Sequence, residues 1–251
     1  MKRLFWMLLG LAACSQPSGT AADAAVADLI SSADLQDPDD ILGTFSGSCG
    51  SVLGQLHSTM PSLIDDALVF TAGEAYVRSA LSPDGQRLYD LPNAGGSSTE
   101  SEVMSFEVLH YCSGASLLKS ETEIGYAPPD TDLGGNIITD ILVAFGGDKV
   151  GVSVTRAYQP GGMTDTQIHD LLVKKLDGIN HSSARVLPAD KWIKQILHVF
   201  VATQDAADAV DRIWPTLDAA LRADTIVLVT HTTGGGFIYC HPTPPLGQEC
   251  P

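Results

Sequence analysis

Positive charge is scarce in this sequence. The 251 residues include 14 Lys and Arg against 30 Asp and Glu, which gives a formal net charge of -16 at pH 7. Such a negative field repels phosphate backbones, and no run of Lys or Arg provides a local basic patch. The composition therefore argues against nucleic acid as a partner.

Two common catalytic motifs are also missing. No G-x-S-x-G sequence is present, which disfavours a serine hydrolase of the common α/β type. Three consecutive glycines, Gly234 to Gly236, follow an apolar segment, but no Lys-Ser or Lys-Thr pair comes after them. They therefore do not form the phosphate-binding loop typical of nucleotide-binding proteins.

An apolar segment stands at the start of the chain. MKRLFWMLLGLAACS has two basic residues and then about ten apolar ones, too few to span a bilayer, and this layout is typical of an export signal. Leu11-Ala12-Ala13-Cys14 resembles the lipobox of bacterial lipoproteins. The resemblance implies that residues 1–13 are removed, that Cys14 is lipidated, and that the lipid anchors the protein in the bacterial envelope. Ser15 after the cysteine favours the outer membrane or the cell surface.

The other four cysteines form an even set, Cys49, Cys112, Cys240 and Cys250. In an exported protein such a set predicts one or two disulfides. Cys240 and Cys250 flank a proline-rich loop and are the best pair, which leaves Cys49 for Cys112. The alternative is a set of buried free thiols.

Composition divides the chain into three parts: a signal peptide at 1–13, an acidic flexible tether at 14–44, and a single α/β domain at 45–251. In the domain we predict a hairpin over 75–91 with its turn at Pro83-Asp84-Gly85, and a helix that begins at a capping box, Thr99 and Glu102. Further predicted elements are strands at 120–127, 136–145 and 149–158, a helix from Thr164 to Gly178, a strand at 196–203, a helix at 205–223 broken at Pro215, and a strand at 225–231. This order predicts a mixed central sheet flanked by helices.

Asp140 is a carboxylate inside the apolar segment NIITDILVAF. The order helix-strand-strand-strand-helix-strand over residues 97–231 is similar to the core of the PD-(D/E)XK nuclease-like superfamily, and Asp140 matches the acid of its second strand. The resemblance implies a Mg²⁺-dependent phosphodiesterase in which Glu102 or Glu107 supplies the acid of the first helix. Hard oxygen ligands suit Mg²⁺, and a nearby cation orients the attacking water.

The third strand departs from the family pattern. Side chains alternate along a strand, so Ser153 and Thr155 occupy the face where an acid and a lysine are required, and Arg156 points to the other face. Glu121 or Glu123 on the preceding strand could replace the missing acid. Lys174 and Lys175 are predicted to lie on a solvated helix face, and His198 and His231 to be hydrogen-bonded core residues.

We therefore predict a lipid-anchored envelope protein on a nuclease-like fold. It acts as a non-catalytic binding or structural module and requires no cofactor. Asp140 is then a buried structural carboxylate, or part of a ligand pocket with Ser153, Thr155 and Arg156. The alternative is an active Mg²⁺-dependent phosphodiesterase that uses Asp140 with Glu102, Glu107 or Glu123.

Overall fold

The computed structural model describes residues 42–48, 50–92, 99–128 and 138–239. All of them belong to one compact unit, Pro38–Pro251. The predicted signal peptide, the lipidated Cys14 and most of the predicted tether lie outside the described residues.

A seven-stranded mixed sheet forms the centre of this unit, in the order β1-β2-β7-β6-β5-β4-β3. Strands β2, β7, β6 and β5 are mutually parallel, whereas β1, β4 and β3 each run antiparallel to the neighbour they pair with. The strands are β1 Thr44–Gly47, β2 Ser62–Val69, β3 Ser116–Ser120, β4 Ile141–Phe145, β5 Asp148–Ala157, β6 Lys194–Val201 and β7 Ile226–Thr233.

Helices cover both faces of the sheet. They are α1 Pro83–Asp90, α2 Thr99–Ser113, α3 Asp165–Arg185, α4 Gln204–Ile213 and α5 Ala219–Arg222. Alternate residues of the central strands face opposite layers: in β6, Phe200 packs in the core with α2, and Val199 packs in the core with α3 and α4. Burial on both faces explains why these strands are almost continuously apolar. The mixed α/β sheet flanked by helices is confirmed.

The predicted hairpin over 75–91 is wrong, because this segment contains helix α1. Ser82 is the N-cap, its hydroxyl oxygen accepts the N–H of Gly85 at 3.1 Å, and Pro83 occupies the first turn. Ser-Pro-Asp-Gly has the composition of a turn, but a serine cap followed by proline is equally a helix start. The same four residues therefore fit a turn and a helix start, and the structure has the helix.

Two strand predictions also need correction. The strand expected at 120–127 lies earlier, at β3, and Glu121 to Glu123 form a turn instead. Strand β2 was missed because two aspartates, Asp65 and Asp66, interrupt its apolar pattern. β2 lies between β1 and β7, where pairing on both sides fixes the strand despite the acidic residues.

The later elements agree with the sequence patterns. Strand β5 is confirmed, and α3 begins with the predicted capping box between Thr164 and Gln167. The helix does not end at Gly178, which is buried within it, but continues to Arg185. The break at Pro215 is confirmed, since α4 ends at Ile213 and a short 3₁₀ turn, Trp214–Thr216, follows it.

Strand β3 is at one edge of the sheet, and α1 lies against it. The main-chain N–H of Leu117 donates to the carboxylate of Asp84 at 2.8 Å, and its carbonyl accepts from Arg87 at 2.6 Å. The pairing of β3 with β4 also shifts register between Leu117 and Lys119. Side chains of a helix therefore occupy main-chain hydrogen-bonding groups of this edge strand.

Candidate functional site

Asp140 lies immediately before β4 and connects that strand to β5. Its N–H donates to the carbonyl of Val152 at 3.2 Å, as a ladder bond would. Its carboxylate oxygen Oδ2 accepts the N–H of Val154 at 2.6 Å and the hydroxyl of Ser153 at 3.1 Å. The carboxylate thus satisfies a main-chain donor of β5 at the point where β4 no longer provides a partner.

Lys175 of α3 brings a positive charge to the same place. Its Nζ donates to the carbonyl of Val154 at 3.4 Å, and the side chain is half-buried. Lys174 is exposed, so the predicted solvated face is correct for Lys174 and wrong for Lys175. The position of Lys175 on α3 directs its side chain part-way towards the sheet. A pattern of apolar residues does not predict this, because a long cationic side chain can lie along an apolar surface while it keeps its charge near water.

Glu121, the residue after β3, supplies a second carboxylate near Asp140. It is buried, and its negative charge raises the pKa of Asp140. Burial is the largest influence and also raises that pKa, whereas the Lys175 ammonium and the two hydrogen bonds lower it. The net effect is a pKa above the ordinary value of an aspartate.

Two of the glutamates predicted to join Asp140 bond elsewhere, whereas Glu121 acts on its carboxyl. Glu107 accepts the N–H of Ser82 at 3.1 Å and its hydroxyl at 2.6 Å, so it anchors the start of α1. Glu123 accepts the N–H of Ser120 at 2.9 Å. Glu102 is buried in α2. The charges of Lys175 and Glu121 act on the Asp140 carboxyl.

The pocket candidates on β5 divide between the two faces as the alternation predicts. Ser153 bonds to Asp140, and Thr155 is buried. Arg156 points to the other face, where its Nη1 donates to the carbonyl of Ile238 at 3.4 Å. Arg156 therefore does not share a pocket with Ser153.

No group of three or more His, Cys, Asp or Glu side chains within the described ranges is arranged to hold a metal ion. The Asp140 surroundings offer two carboxylates, and one oxygen of Asp140 is already committed to Val154 and Ser153. Mg²⁺ requires a nearly octahedral set of oxygen ligands. The residues present fit a structural carboxylate better than a Mg²⁺ site.

His198 of β6 forms a second buried polar centre. Its Nδ1 is 2.8 Å from the hydroxyl of Ser105, its Nε2 is 2.8 Å from that of Thr230, and its ring stacks on Phe200. Burial lowers its pKa from 6.5 to about 3. The prediction of a hydrogen-bonded core histidine is confirmed for His198.

Asp66 of β2 is a buried acid that the sequence patterns did not single out. Its side chain is 8% exposed, and Oδ1 has no hydrogen-bond partner among the described residues. Burial, helped by the charge of Asp65, raises its pKa from 3.8 to about 6. Thr230 lies next to it in the register of β2 and β7.

Cys112 is disulfide-bonded. Cys49, Cys240 and Cys250 lie outside the described residues. The assignment of Cys49 to Cys112 and of Cys240 to Cys250 stays a prediction.

Comparison with known proteins gives one informative similarity. The chain is 42% identical over 168 residues to the AAC-rich mRNA clone AAC4 protein of Dictyostelium discoideum. The match covers 63% of this chain and 24% of that protein, so the chain spans about a quarter of its relative's length. No family model and no solved structure matches the chain.

This similarity corrects the prediction from the N-terminal segment. The relative comes from a eukaryote, whereas lipobox processing belongs to bacteria, so the assignments of a bacterial lipoprotein, a lipidated Cys14, a membrane anchor and an envelope location are contradicted. A few basic, apolar and small residues in sequence are a pattern of low specificity. In the part of the chain that the structure describes, no helix combines the length and the apolar character needed to cross a membrane.

Proposed function

We propose that this chain is a non-catalytic binding or structural module on a fold similar to the PD-(D/E)XK nuclease core. The observation that carries the proposal is the double hydrogen bond to Asp140 Oδ2, at 2.6 Å from the Val154 N–H and 3.1 Å from the Ser153 hydroxyl. A carboxylate used in this way fastens β4 to β5. Lys175 offsets part of the cost of burying its charge.

The element order supports the fold part of the proposal. Helix α2, the three strands β3, β4 and β5, helix α3 and strand β6 follow one another in the chain, and the four strands are adjacent in the sheet. Fold similarity alone does not carry catalysis to this chain. The proposal of a binding or structural role therefore depends on the residues around Asp140.

A second candidate is a Mg²⁺-dependent phosphodiesterase centred on Asp140. One observation favours it: Lys175 and Glu121 both act electrostatically on the Asp140 carboxyl. In such an enzyme they would supply the ammonium and the second acid that the family has on its third strand and that β5 lacks. Mg²⁺ would polarise a phosphoryl oxygen in such an enzyme, and the non-catalytic module requires no cofactor.

Titration calorimetry of the full chain with Mg²⁺ and with Mn²⁺ separates the two candidates. Asp140→Asn removes the charge but keeps an acceptor for the Val154 N–H, and Asp170→Asn on the exposed face of α3 is the matched control. We expect equal heats from the wild type and both variants, and no cleavage of a phosphodiester substrate. Heat or cleavage that disappears only in Asp140→Asn would replace the proposal with the phosphodiesterase.

A further inference from the structure

One side of strand β2 is not buried beneath a helix of the described residues. Helices α3 and α4 pack over β5, β6 and β7 on that side of the sheet. The residues that β2 directs to the same side are Leu63 and Ala67, which are half-buried, and Asp65 and Val69, which are exposed. We call these four residues the β2 face. The adjoining strand β1 is also largely exposed.

An uncovered side is unexpected for a strand of this kind. β2 pairs in parallel with β7, and parallel strands generally have helices over both sides. The opposite side of β2 follows this rule, because Ile64 and Leu68 are buried in the core with α2. Two neighbouring strands are about 10 Å wide, which is about the diameter of one helix. The β2 face and β1 therefore offer room for one further helix beside α4.

Carboxylates lie along the border between the β2 face and α4. Asp208 and Asp211 are exposed on α4, three residues apart, and Asp211 is hydrogen-bonded to Asp65. Burial, the charges of Asp211 and Asp208, and this hydrogen bond all raise the pKa of Asp65. Arg212 pairs instead with Asp165 of α3 at 3.1 Å. The border therefore holds like charges whose repulsion a cation from another molecule would relieve.

The charge of this surface selects among the possible occupants. A second copy of the chain in a two-fold contact would place the same carboxylates against each other. The net charge of -16 also opposes self-association. A helix that carries apolar side chains on one side and Lys or Arg along the edge of that side matches both the uncovered strand and the acidic border.

We infer that the β2 face binds an amphipathic basic helix of a partner protein. The apolar side chains of this helix pack on Leu63, Ala67 and Val69, and its cations pair with Asp208 and Asp211. The bound helix lies next to α4 and completes the layer of helices over the sheet. Such a small surface gives a weak and reversible contact. The inference goes beyond the proposed function and does not depend on Asp140.

The test is an NMR titration of the full chain with a peptide of leucine and lysine. The peptide has about 14 residues and blocked ends, and its leucines are placed at helical spacing so that one side is apolar. A peptide of the same composition in scrambled order is the comparison, because it has the same charge but no apolar side. We expect saturable shifts in the amides of β2 and α4 with the amphipathic peptide, and much weaker ones with the scrambled peptide.

Variants of exposed residues separate specific docking from general attraction by an acidic protein. The double variant Asp208→Asn and Asp211→Asn should bind the peptide at least tenfold more weakly, a loss of about 1.4 kcal/mol. The matched control, Asp170→Asn with Asp177→Asn on α3, removes two exposed charges as well and should bind like the wild type. Val69→Asn tests the apolar part and should also weaken binding. All five side chains are exposed, so these variants should keep the fold.

Three results would overturn the inference. The first is the absence of saturable shifts on the β2 face at about 1 mM peptide, where a site of about 100 μM affinity is occupied. The second is equal binding of the scrambled peptide, or an equal loss of affinity in the two double variants, since either shows general charge attraction alone. The third is self-association of the wild type that Val69→Asn abolishes in sedimentation, which assigns the face to a second copy.

Discussion

The main-chain N–H of Val154 donates to the carboxylate of Asp140 at 2.6 Å. Asp140 lies one residue before the first residue of β4, where β5 continues without a paired strand on that side. A side chain thus extends the hydrogen bonding of the sheet past the end of its backbone ladder. This makes Asp140 first a structural residue, and its removal has a predictable cost.

Asp140→Ala should lower the free energy of unfolding by about 2–3 kcal/mol, because it leaves the Val154 N–H without its acceptor and Lys175 without its counter-charge. Ser153→Ala removes only one hydrogen bond to Oδ2 and should cost about 1 kcal/mol. Urea unfolding followed by circular dichroism measures both. Equal stability of Asp140→Ala and the exposed control Asp170→Ala would contradict the structural role.

Asp66→Asn should stabilise the protein at pH 7.5. Burial raises the pKa of Asp66 from 3.8 to about 6, so the folded state holds the proton more tightly than the unfolded chain. The ionised form therefore destabilises the fold above pH 6, and this penalty disappears as the pH falls from 6 towards 3.8. We expect a gain of about 1–2 kcal/mol for Asp66→Asn at pH 7.5, discounted for partial solvation.

The measurement for Asp66 is the difference in unfolding free energy between variant and wild type at pH 7.5 and at pH 4.5. That difference should shrink at the lower pH, because the Asp66 carboxyl of the folded wild type is then protonated and is neutral like the asparagine side chain. A difference that is constant with pH would show that Asp66 is not the titrating group. Asp170→Asn on the exposed face of α3 is the matched control.

His198→Phe should give the opposite dependence on pH. Burial lowers the pKa of His198 from 6.5 to about 3, so the folded state favours the neutral imidazole. Its contribution is complete above pH 6.5 and is lost as the pH falls towards 3, with a slope of up to about 1.4 kcal/mol per pH unit. Phenylalanine removes this slope.

At neutral pH the same variant should lose about 2–4 kcal/mol, because the hydroxyls of Ser105 and Thr230 lose their shared partner in the core. Unfolding free energies between pH 5 and pH 7 test both effects. If wild type and variant fall in parallel with decreasing pH, the histidine is not the source of acid sensitivity.

Gly85→Ala should weaken the packing of helix α1 against helix α2 and so destabilise the protein. A Cβ at position 85 would lie 1.9 Å from Oε1 of Glu107, whose carboxylate is held by Ser82. We expect a loss of about 1–3 kcal/mol in thermal or urea unfolding. Gly54→Ala is the control, since no atom lies within 4 Å of its added Cβ and its stability should change little.

The fold was predictable from sequence where one face or one cap determined the local structure. The apolar strands β5, β6 and β7 and the Thr164 capping box of α3 are examples. The cap of helix α1 also fits a turn, and strand β2 has no continuous apolar pattern, so local sequence did not decide either element. The helix depends on Glu107, 25 residues away in sequence from Ser82, and the strand depends on pairing with two neighbours that override its aspartates.

The residues of the candidate site were also predictable only in part. The face shared by Ser153 and Thr155 follows from the period of a strand, and the structure confirms it. Asp140 was predicted inside a strand over 136–145, whereas it lies one residue before β4.

Glu121 was among the acids predicted to replace the missing one, and its charge acts on Asp140. Lys175 could not be identified, because its proximity to Asp140 depends on how α3 folds back on the sheet. Glu107 bonds to Ser82 instead of joining Asp140, a contact that the predicted turn at 83–85 does not indicate.

The contact of α1 with Leu117 has a consequence for assembly. An edge strand with free donors and acceptors can recruit a strand from another molecule, which leads to domain swapping or fibres. Here Asp84 and Arg87 already occupy both main-chain groups of Leu117, and the register shift beside it disturbs the flat geometry that an added strand needs. Helix α1 therefore blocks the pairing of a further strand with this edge of the sheet.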